Sequence, residues 1–261
     1  MLLAAIALVA TASPARAEVD LPALVHASLH GRSTTLPRPG KPALEVMLGP
    51  AASDWVVVYL HGFCGDPFAF RPWASEARRH ATFISLRGDL ACDDRPGRRK
   101  WSWDYRRIDR AIREAVVEVS AIREAAGGAH LSQDRIALIG YSQGAQRVAQ
   151  LAGRFPDRYR RVVVIAPAKT PSAGLFRKAE RILLMGGAWD VRDPLYEARD
   201  ALLKTRRPVR YLELPKARHG EYGPEGPRVM AEGLAWLFAP LAEAEPAAGT
   251  GQAAPSGAHV P

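Results

Sequence analysis

The sequence predicts a single α/β domain, a mostly parallel central sheet with helices on both faces. Three observations predict it. Strand-length apolar runs alternate with helical patterns over about 200 residues, the pattern of a parallel sheet with crossover helices. Two of the runs, Trp55 to Leu60 and Arg161 to Ala166, are continuous and rich in β-branched residues, as in strands covered on both faces. Finally, Gly140-Tyr141-Ser142-Gln143-Gly144 joins one such strand to a helical pattern through a Gly-x-Ser-x-Gly turn.

Residues 18–50 carry five prolines and only weak alternation from Ala43 to Leu48. They read as an irregular lead-in with one or two edge strands. The first buried strand, Trp55 to Leu60, ends in His61-Gly62-Phe63-Cys64. A short helix is expected from Phe70 to Arg79, then a strand from Ala81 to Leu86. A long polar loop follows, closing on Trp101-Ser102-Trp103-Asp104. Ile108, Ile112, Ala115, Val116, Val119 and Ile122 fall at helical spacing, so Ile108 to Ala126 is a long amphipathic helix stopped by Gly127-Gly128. Further strands are expected at Arg135 to Ile139, Arg161 to Ala166, Arg181 to Met185 and Val209 to Leu214. Helices are expected at Ala145 to Phe155, Leu195 to Thr205 and Pro227 to Phe238. From Pro240 the chain is mostly Ala, Pro, Gly, Ser and Glu, which reads as a disordered tail. The domain thus spans residues 18–240 and the tail residues 241–261.

The composition, 48% hydrophobic and 24% charged, is that of a globular protein. The formal net charge is +9. The arginines responsible are scattered along helices, which reads as a solvated basic surface. An affinity for anionic lipid, cell-wall polymer or an acidic substrate is the sharper alternative. The basic residues are not interleaved with stacking aromatics, so no nucleic-acid module is expected. Leu2 to Ala10 is an apolar run too short to span a membrane, and Ala15-Arg16-Ala17 is a small-x-small cleavage site. Residues 1–17 therefore read as a signal peptide, although no Lys or Arg precedes the apolar run. A secreted or periplasmic protein without a membrane span is expected, and its two cysteines suggest one disulfide.

In a parallel sheet the chemistry lies at the carboxyl ends of the strands. Ser142 follows one strand, Asp190 and Asp193 follow the next but one, and His219 follows the last. Of seven histidines only His61 and His219 lie at carboxyl ends. His26 and His30 are in the lead-in, His80 and His130 are at amino-terminal ends, and His259 is in the tail. A serine in a tight strand-to-helix turn, followed along the chain by an acid and a histidine, is the order of α/β-hydrolase triads. His219 is the expected base and Asp190 the acid that fixes its tautomer. Asp193, before Pro194, is expected to cap a helix. The oxyanion would be held by the N–H groups of Phe63 and Gln143, and His61 would order the Phe63 loop. Trp101, Trp103, Trp189 and Tyr105 are candidates for a substrate pocket, or for packing of the long loop onto the sheet. No cluster has metal-ligand spacing and no phosphate-binding loop is present, so neither metal nor cofactor is expected.

Gly140-Tyr-Ser-Gln-Gly144-Ala, His61-Gly-Phe and Gly187-x-x-Asp190-x-x-x-Pro194 resemble the phospholipase/carboxylesterase family of α/β-hydrolases, which includes acyl-protein thioesterases. Trp101-Ser-Trp103-Asp104 resembles that family's segment bordering the substrate pocket. The resemblance spans roughly residues 53–240. It implies hydrolysis of small or polymeric carboxylic esters, or thioesters, by Ser142, Asp190 and His219 without a cofactor. Cys64 departs from the family, whose loops run small or apolar there, and an exported chain departs from a cytosolic deacylase role. The strand order of α/β-hydrolases makes the strands before Cys64 and Cys92 neighbours, which implies a Cys64–Cys92 disulfide, the alternative being two free thiols. A peptidase or amidase with the same triad, and a non-catalytic binding relative, are the competing functions. Only about 14 residues separate the strands ending at Ala166 and Met185, so no large lid is expected there.

Overall fold

The computed structural model describes residues 19–241. The expected signal peptide lies outside these residues, as does the expected tail apart from Leu241. The chain runs through α1 (Leu21–Leu29), β1 (Thr34–Arg38), β2 (Lys41–Met47), β3 (Val56–Leu60), α2 (Ala74–Arg78), β4 (Thr82–Leu86), β5 (Leu90–Ala91), β6 (Arg99–Lys100) and α3 (Tyr105–Ala125). It continues through β7 (Ile136–Tyr141), α4 (Gln143–Arg154), β8 (Arg161–Ile165), a 3-10 turn at Ala173–Phe176, β9 (Arg181–Gly187), α5 (Asp193–Lys204), β10 (Val209–Leu214) and α6 (Gly226–Phe238).

Eight strands form one sheet in the order β1-β2-β4-β3-β7-β8-β9-β10. From β4 to β10 all neighbours are parallel; β1 and β2 form an antiparallel hairpin on the β4 edge. Every residue of β3, β4, β7, β8 and β9 is buried, and alternate residues feed two cores. Val56, Val58, Leu60, Leu138 and Val164 pack under α3, α4 and α5 with Ile112, Val116, Val148 and Leu195. Val57, Tyr59, Ile139, Val163 and Leu183 pack under α2 and α6 with Ala77, Met230 and Leu234. The chain leaves β3 for β4 on one side and returns through α3 to β7 on the other. A crevice therefore opens between the carboxyl ends of β3 and β7, the switch point at which such sheets bind ligands.

The lead-in departs from expectation. It contains the helix α1 before the β1–β2 hairpin. The Asp20 carboxylate accepts the Ala23 N–H at 2.9 Å, and Pro22 sits in the first turn, where its missing N–H costs nothing. Leu24 is fully buried, and the Ser28 hydroxyl accepts the Leu48 N–H at 2.9 Å. The helix α2 is shorter than expected, with Phe70 and Trp73 entering the core from the turns before it. The long polar loop carries the two-residue strands β5 and β6. In α3 the apolar spacing forms the buried face, and the Asp104 carboxylate caps the first turn through the Arg107 N–H at 2.9 Å.

Candidate active site

The strand β7 turns into α4 at Ser142, whose φ of 51° and ψ of −111° lie where few L-residues go. Such a conformation costs of order 1–3 kcal/mol and persists only when its surroundings over-determine it. Here they do. A Cβ on Gly140 would stand 2.4 Å from the Gly144 carbonyl oxygen, and one on Gly144 would stand 2.0 Å from that of Leu60. Both glycines are required for α4 to approach β3 and β7 this closely.

Three loops meet at this turn. The loop after β10 carries His219, whose Nε2 lies 3.1 Å from the Ser142 Oγ. The loop after β9 carries Asp190, whose Oδ2 lies 2.8 Å from His219 Nδ1. A carboxylate can only accept, so Nδ1 holds the proton and Nε2 faces the serine hydroxyl as an acceptor. The second Asp190 oxygen accepts the Val191 N–H at 2.7 Å, which fixes the carboxylate. Backbone bonds from Ala188 to Leu214 (2.9 Å) and Trp189 to Ala217 (3.0 Å) tie the acid loop to the histidine loop. Asp193 lies in the first turn of α5 and makes no contact with His219 among the described residues. The N-cap there is Arg192 and makes no side-chain cap, so the expected capping by Asp193 is not found.

The third loop follows β3. A Cβ on Gly62 would lie 3.5 Å from that of Ser142, so this loop flanks the serine directly. Among the described residues the Phe63 and Gln143 N–H groups meet no protein acceptor. The loop is held from behind by His61, 1% exposed. Its Nε2 accepts the Gly88 N–H at 2.9 Å, so Nδ1 is the protonated nitrogen and donates to the Gly62 carbonyl at 2.7 Å. Burial pushes the His61 pKa down to about 4, and the ring is neutral. A disulfide joins Cys64 to Cys92, whose Cα atoms are 5.9 Å apart, and so ties this loop to the one after β4.

Sequence reasoning missed three supports. Tyr141 Oη accepts the Gly220 N–H at 2.6 Å, and its ring meets the His219 ring edge-on at 5.6 Å. Burial raises this phenol to about 12, so it stays protonated. The Gln143 side chain accepts the Trp101 N–H at 2.9 Å and donates to the Trp101 carbonyl at 3.3 Å. Arg147, 1% exposed, donates to the Ser102 and Trp101 carbonyls at 2.8 and 3.2 Å. Its guanidinium lies 3.8 Å from the Trp103 ring centroid. Trp101 itself is buried, its indole N–H donating to the His61 carbonyl at 2.8 Å, which is the packing alternative. Tyr105 is also buried, whereas Phe63, Trp103 and Trp189 are more than half exposed.

This arrangement of sheet, turn and loops has a name among known proteins. A family model described as the alpha/beta hydrolase fold matches residues 56–204, more than half of the chain. The chain belongs to this family. Solved α/β hydrolases share its fold at low identity. A carboxylesterase from Mesorhizobium loti is 18% identical, with 80% of this chain and 99% of that one covered at a TM-score of 0.53. The Bacillus cereus carboxylesterase is 16% identical, with 79% and 96% covered and a TM-score of 0.52. S-formylglutathione hydrolase from Staphylococcus aureus is 14% identical, with 79% and 97% covered and a TM-score of 0.54. Comparison with curated proteins returns no match. Among the described residues no group of three or more His, Cys, Asp or Glu side chains is arranged to hold a metal ion, and no helix is long and apolar enough to cross a membrane.

Proposed function

We propose that this α/β hydrolase is a serine esterase that cleaves carboxylic esters or thioesters through an acyl-enzyme, and that it acts outside the cytoplasm. The observation that carries the reading is the chain of two hydrogen-bond contacts, Ser142 to His219 at 3.1 Å and His219 to Asp190 at 2.8 Å, beside two N–H groups without acceptors among the described residues. His219 Nε2 takes the Ser142 proton as Oγ attacks the ester carbonyl carbon. The carbonyl oxygen becomes an oxyanion and accepts from the Phe63 and Gln143 N–H groups, with the N-terminus of α4 directed at it. Asp190 stabilises the imidazolium, which then protonates the leaving alkoxide or thiolate. Water, deprotonated by His219, attacks the acyl-enzyme, and collapse returns Ser142 with its proton. Among the described residues only the 3-10 turn at Ala173–Phe176 lies between β8 and β9, and the exposed rings of Phe63, Trp103 and Trp189 suit an open site for bulky or polymeric esters. The Cys64–Cys92 disulfide supports an oxidising compartment.

The test is Ser142→Ala with a p-nitrophenyl ester and a fluorophosphonate probe. The expected outcome is a fall in kcat/KM of at least ~10⁴-fold and loss of covalent labelling. Undiminished turnover removes the triad, and absence of wild-type labelling favours a non-catalytic binding protein. Turnover of peptide anilides in preference to esters assigns the same triad to an amidase.

A further inference from the structure

The two flanks of α3 differ in charge. Beside the β1–β2 hairpin, acids and bases are matched. Glu118 accepts from Arg38 through two bonds of 2.7 and 2.8 Å, and Glu114 from Lys41 at 2.8 Å. The flank beside α4 carries Arg106, Arg110 and Arg113, whose spacing of four and three residues makes one exposed stripe. Arg154 and Arg158 reach this flank from the end of α4. The Arg154 guanidinium lies 4.5 Å from the centroid of the Tyr105 ring, and Arg158 donates to Asp109 at 2.6 Å.

Five guanidinium groups thus share one carboxylate, Asp109, and it is fully engaged. Its Oδ1 accepts from Arg158 and from Tyr159 Oη at 2.7 Å, and its Oδ2 meets Arg113 at 3.2 Å. The neighbouring acids are engaged elsewhere. Asp104 caps the first turn of α3 through the Arg107 N–H, and Asp157 holds Lys178 at 2.7 Å. Arg106 and Arg110 form no ion pair among the described residues. Like charges at i and i+4 destabilise a helix, so the fold gains nothing from this pair. An apolar group stands at each end of the stripe. Trp103, 72% exposed, meets the Tyr105 ring edge-on at 6.5 Å, and Val117, 59% exposed, is the next position along the stripe. A dissolved polyanion has no use for these groups. The boundary of a bilayer accepts indole and aliphatic groups beside its headgroups.

We infer that the α4 flank of α3 is a docking surface for an anionic phospholipid bilayer. Arg106, Arg110, Arg113 and Arg154 meet the lipid phosphates, and Trp103 enters the interface beside them. Each guanidinium near such a surface adds attraction that falls off within a screening length. The flank ends at the segment held by Gln143, the residue after Ser142. Docking is independent of the proposed esterase reading, and its assay needs no turnover.

The test is co-sedimentation of the full chain with vesicles of phosphatidylcholine, alone or mixed with phosphatidylglycerol. The expected result is binding to the mixed vesicles in dilute salt, none to phosphatidylcholine alone, and release at about 0.5 M salt. Arg106→Glu combined with Arg110→Glu weakens binding at least ~10-fold. Both side chains are exposed, so the fold tolerates the change. Arg71→Glu combined with Arg79→Glu, an equal change of charge at exposed positions on the α2 side of the sheet, leaves binding intact. Trp103→Ala weakens vesicle binding at least ~3-fold and leaves capture on dextran sulfate beads unchanged. Absence of binding to the mixed vesicles, equal binding to phosphatidylcholine alone, or equal loss in the Arg71 and Arg79 variant overturns the inference. Vesicle binding that is indifferent to Trp103→Ala overturns it too, and assigns the flank to a soluble polyanion.

Discussion

Tyr141 stands between the serine turn and the histidine loop, touching no reacting atom in the proposed mechanism. Its hydroxyl accepts the Gly220 N–H, one residue beyond His219, and its ring packs against the imidazole edge. It is a positioning residue on this geometry. Tyr141→Phe keeps the ring and removes the acceptor, which costs about 1 kcal/mol or more if the N–H is left unpaired. The expected outcome is a roughly tenfold fall in kcat with KM unchanged, a split that reports on Nε2–Oγ alignment rather than substrate binding. Fluorophosphonate labelling of Ser142 slows in parallel. A fall in melting temperature with kcat intact assigns the tyrosine to packing alone. No local signal marks Tyr141 for this role, because its partner is 79 residues away along the chain.

At the scale of elements, α4 does more than present Ser142. Gln143 and Arg147, one turn apart, hold the Trp101–Trp103 segment from the same helix face. Arg147 combines two carbonyl contacts with a flat stack on Trp103, which a lysine ammonium reproduces in neither respect. Arg147→Lys is expected to lower stability by about 2 kcal/mol, read by urea unfolding, and to hasten proteolysis between residues 93 and 103. Unchanged proteolysis with full stability refutes the clamp. The parallel strands and the amphipathic α3 were legible in the sequence, since their patterns are dictated by burial on two faces or one. So were the residues that the structure gathers around Ser142, because each follows a strand at one sheet edge. What escaped was determined by capping and by tertiary contact. The prolines of residues 18–50 masked α1, although Asp20-Leu21-Pro22 is a capped helix start. The burial of Trp101 depends on His61 and Gln143, which only the folded sheet brings beside it.

For the whole molecule, stability rests on a loop architecture that is both cross-linked and pH-sensitive. The Cys64–Cys92 bond closes a separation of 28 residues. Loop-entropy arguments assign such a closure about 3.5 kcal/mol. A Cys64→Ala, Cys92→Ala double variant should lose stability on that scale, measured by urea unfolding of the variant beside the disulfide-bonded parent. The same region carries His61, buried and neutral with a pKa of about 4 against 6.5 in the unfolded chain. The unfolded state therefore takes up a proton as pH falls through 6.5, while the folded state resists until about pH 4. Between these values the unfolded state binds more protons, so stability is complete above the unfolded value and falls with pH. The loss from this group is on the order of 3 kcal/mol, a large part of a total of 5–15 kcal/mol. His80, also lowered by burial, acts in the same direction. His61→Gln keeps a donor and an acceptor but removes the titration. The variant is expected to be less stable than the parent at pH 7, with the gap narrowing as pH is lowered toward 4. Urea unfolding at half-unit pH intervals measures that gap, and a gap constant with pH shows that His61 is not the group that makes the fold acid-sensitive.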